Sequence, residues 1–250
     1  MTVEYVRYTI PQQRADEFEQ AYARAATSLR ASPYCRTIEL SRCEEEPSSY
    51  VLRIVWTSTS DHVDGFRQSP EFRRFFAEIK DYVDAIAEMR HYTPVPVMPS
   101  LYEWAGGSQA LERLFETFYG KVVGDEVIGP VFDGMSRDHP KHVAAWIGEV
   151  FGGPAVYSTT RGGHGAMVGH HAGRSLTEQQ RRRWADLLHD AADDVGLPDD
   201  PEFRSAFAAY VEWGTRLAVA FSRPGADTGV PEPMPTWGWG EVRPWPRESP

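Results

Sequence analysis

The pattern of apolar residues changes near residue 100, and this change limits the folds open to the chain more than any other feature. Residues 2–10 alternate apolar and polar side chains and are rich in β-branched and aromatic residues, which is typical of a strand. Residues 107–123 instead repeat apolar side chains every three to four positions, which is typical of an amphipathic helix. A chain of 250 residues is long enough for two domains, each with its own core. We therefore predict two domains of different fold class.

The first domain, predicted over residues 1–97, has its elements in the order βαββαβ. These elements are a strand over 2–10, a helix from Pro11 to about Arg30, strands over 34–44 and 50–57, a second helix, and a closing strand over 91–97. The second helix is predicted to have one apolar side, made of Phe66, Phe72, Phe75, Phe76, Ile79, Val83 and Ile86. The order predicts a ferredoxin-like α+β fold, with two helices on one face of an antiparallel sheet. The other face needs a cover, so we expect a homodimer through residues 1–97.

The second domain, predicted over residues 105–223, is expected to be a small bundle of helices. Its first helix is predicted to bury Leu111, Leu114, Phe115, Phe118, Val122 and Val123. Later helices are predicted to begin at Pro140, at a capping box of Ser175 and Glu178, and at Asp200-Pro201. Residues 98–104 are predicted to link the two domains. Periodicity by itself predicts no more than a helical domain here.

Residues 224–250 are predicted to form a tail with seven prolines and three tryptophans, which are Trp237, Trp239 and Trp245. Its richness in proline argues against a helix or a central strand. Its tryptophans argue against a free disordered segment, because such segments are poor in aromatic residues. We therefore expect the tail to pack along a groove, either on the helical domain or on the other domain.

The net charge of −10 disfavours non-specific binding of nucleic acid or of an anionic membrane, because both need a basic surface. The basic run over 181–183 is local, and we predict that it is a solvated helix face. The N-terminus lacks the pattern of a signal peptide, and no apolar run reaches the roughly 18 residues of a membrane span. Cys35 and Cys43 are predicted to lie on one strand, too far apart for a disulfide. These features predict a cytoplasmic protein.

Residues 60–76 resemble the second helix of the antibiotic biosynthesis monooxygenase domains, through the run Ser-Asp-His-Val-Asp-Gly-Phe-Arg-Gln-Ser-Pro-Glu-Phe-Arg-Arg-Phe-Phe. Together with the order of elements, the resemblance covers residues 1–97. Some members of that family oxidise polyketide quinone precursors without a cofactor, some degrade haem, and many have no known chemistry. The haem-degrading branch needs an asparagine, a tryptophan and a histidine. This chain has Arg7, Phe66 and Phe76 at those places, so haem degradation is not expected.

Four further residues of this domain have two interpretations. Trp56, Tyr8, Arg7 and His91 either line a cavity or simply pack the sheet. Neither a cluster of metal ligands nor a glycine-rich phosphate loop is predicted in this domain.

An ordered set of residues in the second domain resembles the truncated haemoglobins, specifically their second group. The set begins with Phe118-Tyr119, continues with Phe132 thirteen positions after the tyrosine, and includes the break Phe151-Gly152-Gly153-Pro154. It ends with His171 and, thirteen positions later, Trp184. The resemblance covers residues 105–223 and implies that the domain binds haem b.

His171 is the residue at the place of the proximal haem ligand in that family. Neutral imidazole is a suitable axial donor for haem iron. The spacing to Trp184 selects His171 rather than the adjacent His170, and so does the following Ala172, which is the family's usual residue. The metal-binding residue is thus predicted to be His171.

The resemblance also implies a gas-binding side that contains Tyr119, Trp184 and Phe132. The Trp184 indole and the Tyr119 hydroxyl are hydrogen-bond donors for a small ligand, although both residues could equally be core aromatics. Phe132 is expected to pack beside the porphyrin and to donate nothing. The implied partners are O2 or another small haem ligand.

The alignment of His139 and Val143 with the family has two alternatives. Counting back from the Gly152-Gly153 pair puts His139 at the family's distal gate, with Val143 one turn further in. Counting forward from Tyr119 misses by one residue, and His139 could instead face solvent at the helix start. Candidates for contact with the haem propionates, or for a solvated surface, are Arg161, His164, His142 and Arg174.

Two functions follow as hypotheses. In the first, the globin binds and activates O2 or peroxide while the α+β domain holds an aromatic organic substrate, which makes the protein an oxygenase- or peroxidase-like enzyme with an external electron donor. In the second, the globin is a non-enzymatic oxygen-binding or sensing module and the α+β domain only dimerises. The sequence names neither the substrate nor the reductase.

Overall fold

The computed structural model describes residues 1–226 and 234–240, and it divides into two compact units. The first unit spans Met1–Pro96, and the second begins at Val97. Each unit has its own cluster of buried apolar side chains.

The first unit contains four strands and two α-helices. The strands are β1 (Thr2–Thr9), β2 (Cys35–Arg42), β3 (Ser49–Trp56) and β4 (Ile86–Tyr92), and the helices are α1 (Ala15–Arg30) and α2 (Pro70–Ile79). The strands form one sheet in the order β2-β3-β1-β4, and every neighbouring pair is antiparallel. The predicted order of elements and the ferredoxin-like fold are confirmed.

Short helical segments connect these elements. A π-helical turn at Asp61–Gly65 and a 3-10 turn at Phe66–Gln68 precede α2, and a longer 3-10 segment at Lys80–Ala85 follows it. A further 3-10 turn, Gln12–Arg14, precedes α1.

The helix-covered face of the sheet is filled mainly by aromatic side chains. Alternate residues of β1 and β3 reach this core because side chains of a strand point alternately to its two faces. The largest buried aromatic members are Tyr8, Phe18, Tyr22, Tyr50, Trp56, Phe66, Phe75 and Tyr82. Tyr8 and Trp56 are therefore packing residues, whereas Arg7 is exposed on the opposite face and pairs with Glu88.

The last strand differs from the prediction, which placed it over 91–97. Strand β4 begins five residues earlier, at Ile86, because it pairs with β1 from Val3 to Tyr8. Pro94 and Pro96 have no backbone N–H and cannot continue that ladder. The predicted apolar side of the second helix is also wrong in part. Ile86 belongs to β4, and Phe76 and Val83 are exposed at 42% and 37%.

The second unit contains seven α-helices among its described residues. They are α3 (Leu101–Ala105), α4 (Gly107–Val123), α5 (His139–Val150), α6 (Val156–Arg161), α7 (Gly163–His171), α8 (Glu178–Asp194) and α9 (Pro201–Phe221), with a 3-10 turn at Gly129–Phe132. Leu101 is fully buried in the core of this unit, so the linker predicted over 98–104 is in part a packed helix. Val123, predicted to be buried, is 72% exposed.

The predicted capping box of α8 is wrong for an identifiable reason. Its capping box consists of Thr177 and Gln180, two residues after the predicted Ser175 and Glu178. Ser175 has a φ of 51°, and its N–H donates to the Ser222 carbonyl instead of entering a helix.

The basic run at the start of α8 is not simply solvated. The Arg181 side chain is buried and forms ion pairs with Glu178 and Glu212, each with an N–O distance of 2.7–2.8 Å. Arg183 pairs with Asp125 at 2.6 Å. Only Arg182 matches the prediction of an exposed side chain.

The described part of the tail packs on the helical unit, as one of the two predicted alternatives requires. The Trp237 N–H donates to the Val150 carbonyl at 2.8 Å, and its indole donates to the Ala206 carbonyl at 3.0 Å. The Trp239 indole donates to the Pro99 carbonyl at 2.9 Å. Trp245 lies outside the described residues.

Within the residues described, no helix has both the length and the apolar character that crossing a bilayer requires. Cys35 and Cys43 are both free, as their predicted separation implies.

Candidate functional site

A cavity of about 570 Å³ lies in the second unit, within the range of roughly 300–1,000 Å³ typical of ligand pockets. Helices α4 to α9 and the 3-10 turn at Gly129–Phe132 all contribute to its wall. The structure brings all six predicted site residues to this wall: Tyr119, Phe132, His139, Val143, His171 and Trp184.

His171 is the last residue of α7, and its ring is fixed by one hydrogen bond. Its Nδ1 lies 3.0 Å from the carbonyl oxygen of Met167, one turn earlier. A carbonyl can only accept, so Nδ1 carries the proton and Nε2 keeps its lone pair. Burial lowers the pKa of His171, which favours the neutral form. A neutral imidazole with a free Nε2 and a backbone partner on Nδ1 is the usual state of a metal-binding histidine.

The adjacent His170 is in a different environment. It is exposed at the rim of the cavity, and its backbone carbonyl accepts a hydrogen bond from Arg174 Nε at 2.6 Å. Consecutive residues of a helix point roughly 100° apart, so the two imidazoles cannot serve the same position.

Tyr119 and His139 form a polar pair in the cavity wall. The Tyr119 hydroxyl oxygen lies 2.9 Å from His139 Nε2. Burial lowers the pKa of His139 to about 4, so its imidazole is neutral near pH 7. Burial also raises the pKa of Tyr119, and a hydrogen bond from the Trp184 indole opposes this increase. Because the indole donates to the phenol oxygen, the phenol O–H is available to donate to His139 Nε2.

Aromatic rings surround this polar pair. The centroid of Phe132 lies 5.3 Å from that of Tyr119 and 5.9 Å from that of His139, and Trp184 packs edge-on against Phe118 at 4.9 Å. Phe132 offers no hydrogen-bonding group. This part of the wall is therefore apolar except for the phenol, the indole and the imidazole.

Basic and imidazole side chains line another part of the cavity. The four candidates for anionic contacts, Arg161, His164, His142 and Arg174, are all found there. Arg161 donates to His142 Nε2, and the pKa of His142 is lowered by burial and by the Arg161 charge. This group has the chemistry to hold carboxylates.

A planar iron porphyrin fits this donor set. The cavity offers one imidazole Nε2 for a metal, aromatic and aliphatic walls for an apolar ring system, and cations for carboxylates. It also offers hydrogen-bond donors for a small polar ligand. The signal that located these groups was the spacing of aromatic residues and His171 along the chain.

The sequence analysis missed a cluster of metal-ligating side chains in the first unit. Glu4, His62 and His91 bring their ligand atoms within 4.8 Å of one another, so the predicted absence of such a cluster is wrong. The three residues belong to three separate elements, and no spacing along the chain signals their contact.

Comparison with known proteins divides the chain in the same way. A sequence model of the bacterial-like globin family matches residues 100–209, and one of the antibiotic biosynthesis monooxygenase family matches residues 1–78. The chain is 35% identical over 103 residues to the group 1 truncated haemoglobin GlbN of Mycolicibacterium paratuberculosis. That match covers 40% of this chain and 71% of the relative.

Two relatives from Bacillus subtilis are also similar. The group 2 truncated haemoglobin YjbI is 28% identical over 113 residues, which cover 45% of this chain and 83% of the relative. The uncharacterised protein YczJ is 34% identical over 82 residues, which cover 33% of this chain and 77% of the relative.

Proposed function

The chain belongs to the truncated haemoglobins through its C-terminal part and carries an antibiotic biosynthesis monooxygenase domain before it, and we propose that it is a haem b protein that binds O2 or a related small ligand. The similarity to the group 2 haemoglobin YjbI supports the resemblance to the second group.

The state of His171 is the observation that carries this proposal. Its Nδ1–H donates to the Met167 carbonyl, and its Nε2 lone pair is free in a cavity of about 570 Å³. Haem, when bound, would supply an iron that can hold a small ligand such as O2. His171 would be the protein ligand of that iron, and Arg161, His164, His142 and Arg174 would pair with the propionates.

The polar groups of the cavity have a separate role in this proposal. When a small polar ligand enters, the Trp184 N–H and the Tyr119 O–H turn to it from their present acceptors, the phenol oxygen and His139 Nε2. His139 in its Nε2–H tautomer then donates to the phenol oxygen and orients the hydroxyl. Phe132 and Val143 exclude water from the ligand. Exclusion of water strengthens each hydrogen bond because the local dielectric constant is low.

Haem titration of the wild type and of two adjacent histidine variants tests the proposal. The wild type is expected to saturate at one haem per chain with a strong Soret band. His171→Gly should lose stable haem binding, and added imidazole should restore the band by occupying the vacated space. His170→Gly is the matched control and should bind haem normally. Equal haem affinity in His171→Gly and wild type would contradict the proposal.

An oxygenase- or peroxidase-like activity is the second candidate, and the Tyr119–His139 pair favours it. A neutral imidazole beside a phenol can accept and return a proton, which activation of O2 or peroxide requires and simple storage does not. The match to the monooxygenase family supports an aromatic organic substrate for the first unit.

Turnover of a phenolic reductant with hydrogen peroxide separates the two candidates. If the protein is an enzyme, His139→Phe should lower the turnover rate about 10²–10⁴-fold, which is the usual contribution of a general acid–base group. A carrier or sensor should show slow turnover that the variant does not change. The full-length chain is used in both arms, and haem content is matched by the Soret band.

A further inference from the structure

Three side chains of metal-ligating type meet in the first unit. Glu4 lies on β1, His91 is its register partner on the edge strand β4, and His62 lies in the π-helical turn Asp61–Gly65. The three ligand atoms all lie within 4.8 Å of one another. His62 Nδ1 is 2.8 Å from His91 Nε2 and 3.7 Å from Glu4 Oε2.

Burial makes this arrangement unusual for three polar groups. Glu4 and His62 are only 2% and 3% exposed, whereas His91 is half-buried. A buried carboxylate is costly unless opposite charge and hydrogen bonds compensate it. The hydrogen bond to Glu4 in this cluster comes from the Trp56 indole at 2.9 Å. A cation between the carboxylate and the two imidazoles would add to the charge compensation that Arg67 gives Glu4.

We propose that Glu4, His62 and His91 bind a divalent transition-metal ion of the Zn²⁺ class. Two imidazoles and one carboxylate are a ligand set that holds Zn²⁺, and they leave a coordination position open for water or another ligand. The half-buried edge at His91 is the side from which that position reaches solvent.

The three ligand atoms lie within 4.8 Å of one another and must rearrange to accept the ion. With metal–ligand bonds of about 2.0–2.1 Å, tetrahedral ligand atoms lie roughly 3.3 Å apart. The His62–Glu4 distance of 3.7 Å is near this value, and the His62–His91 distance of 2.8 Å must open slightly.

The surroundings of the ligands are fixed by other residues. The Trp56 indole, which is fully buried, donates to Glu4 and also stacks on the His62 ring at a centroid distance of 4.3 Å and an angle of 5°. Trp56 is thus a positioning residue for two ligands. The π-helical turn sets His62 apart from ordinary helix geometry, and such turns occur frequently at functional sites.

In the ion-free state, Arg67 favours a His62 tautomer that cannot bind a metal through Nδ1. Its Nε donates to His62 Nε2 at 3.3 Å, so the imidazole proton lies on Nδ1 and is shared with His91. When Nδ1 binds a metal, that proton must move to Nε2, which can no longer accept from Arg67. Arg67 also donates to the Met89 sulfur at 3.8 Å, and it must turn away for the ion to bind.

Co²⁺ titration of the full-length protein, followed by its visible d–d bands and by Zn²⁺ competition, tests this site. We expect one Co²⁺ per chain at the site. His62→Gln and His91→Gln should each weaken binding by more than the ~10–100-fold that loss of an outer-shell partner costs. Trp56→Phe, which removes the indole donor and leaves a smaller aromatic ring, should weaken it by about 10–100-fold. The variant His189→Gln, on α8 of the second unit, should leave it unchanged.

Arg67→Gln makes the test independent of folding losses, because it is expected to increase affinity. The substitution removes a positive charge and a donor that competes for His62 Nε2. The glutamine amide oxygen can accept a hydrogen bond from the Nε2–H of metal-bound His62, so Co²⁺ binding should be about tenfold tighter. Equal Co²⁺ binding in wild type and in the His62→Gln/His91→Gln double variant would overturn the proposal. Weaker binding in Arg67→Gln would also overturn it, and would leave the cluster as a hydrogen-bonded packing element.

Discussion

The Tyr119 hydroxyl oxygen lies 2.9 Å from His139 Nε2, which joins the end of α4 to the start of α5 by one hydrogen bond. Counting residues along the chain did not decide whether His139 faces the pocket or the solvent. Its contact with Tyr119 places it in the cavity wall. The phenol also receives the Trp184 indole hydrogen bond. The polar side of the cavity is therefore a connected chain of three groups, and the first two predictions concern it.

Removal of one donor should speed O2 release from the haem-loaded protein. Each hydrogen bond to a partly charged ligand in a dry pocket contributes about 1.5–3 kcal/mol. At roughly 1.4 kcal/mol per tenfold, Trp184→Phe and Tyr119→Phe should each increase the rate about ten- to a hundredfold. Tyr119→Phe deletes only the hydroxyl, and Trp184→Phe deletes the N–H and leaves a smaller aromatic ring. Stopped-flow release rates within twofold of wild type in both variants would show that neither group holds the ligand.

The protein should lose stability in mild acid through His139. Its pKa is about 4 in the folded state, compared with about 6.5 when exposed. The unfolded chain thus binds this proton at higher pH, so the contribution is complete above about pH 6.5 and is lost as pH falls to about 4. His139→Phe should show a smaller loss of unfolding free energy between pH 7 and pH 4.5 in urea titrations of the haem-free protein. The carboxylates are the same in wild type and variant. An equal dependence of the unfolding free energy on pH in the two proteins would therefore contradict the lowered pKa of His139.

Trp237 should stabilise the helical unit from outside its helices. It bonds to the Val150 and Ala206 carbonyls and packs against Tyr210 and Trp213 at 5.7 and 5.5 Å. Trp237→Ala should cost about 2–3 kcal/mol, somewhat less than the ~3–5 kcal/mol of a fully buried aromatic residue. Trp237→Phe keeps a smaller aromatic ring and should cost less than Trp237→Ala, with the lost indole hydrogen bond contributing about 0.5–1.5 kcal/mol. Urea unfolding followed by far-ultraviolet circular dichroism measures both, and unchanged stability in Trp237→Ala would mean that the segment only rests on the surface.

The first unit should form the dimer. One face of its sheet is filled by the aromatic core, and the opposite face carries Tyr5 between its register partners Arg53 and Arg90. Sedimentation of the fragment 1–96 is expected to give a dimer at tens of micromolar. In the full-length chain, Tyr5→Lys adds a third positive charge to this row and should shift the dimer to monomer. A monomeric fragment would refute the prediction.

Local pattern was sufficient for the fold classes. The periods of about two and 3.6 residues are properties of neighbouring positions, so the βαββαβ order and the helices from 107 onward follow without tertiary information. The prediction of the helical site came instead from the resemblance to the truncated haemoglobins. His171 fits that family better than His170 does, through its spacing to Trp184 and the following Ala172.

Element ends were harder because their partners lie elsewhere. Strand β4 begins at Ile86 because the backbone of β1 pairs with it there. No residue near position 86 indicates this pairing. Arg181 is buried because Glu212, on a different helix, meets it. The exposed fraction of a charged residue depends on such distant partners.

The two fold classes follow from the periodicity of the chain, and the resemblance to the truncated haemoglobins predicts His171 as the haem ligand and the order of the other pocket residues. Tertiary structure alone decided that Tyr119 meets His139 and that Glu4, His62 and His91 converge. The physical reason is that periodicity reports which face a residue lies on. Contacts between faces depend instead on sheet register and on how turns such as Asp61–Gly65 fold back over the sheet.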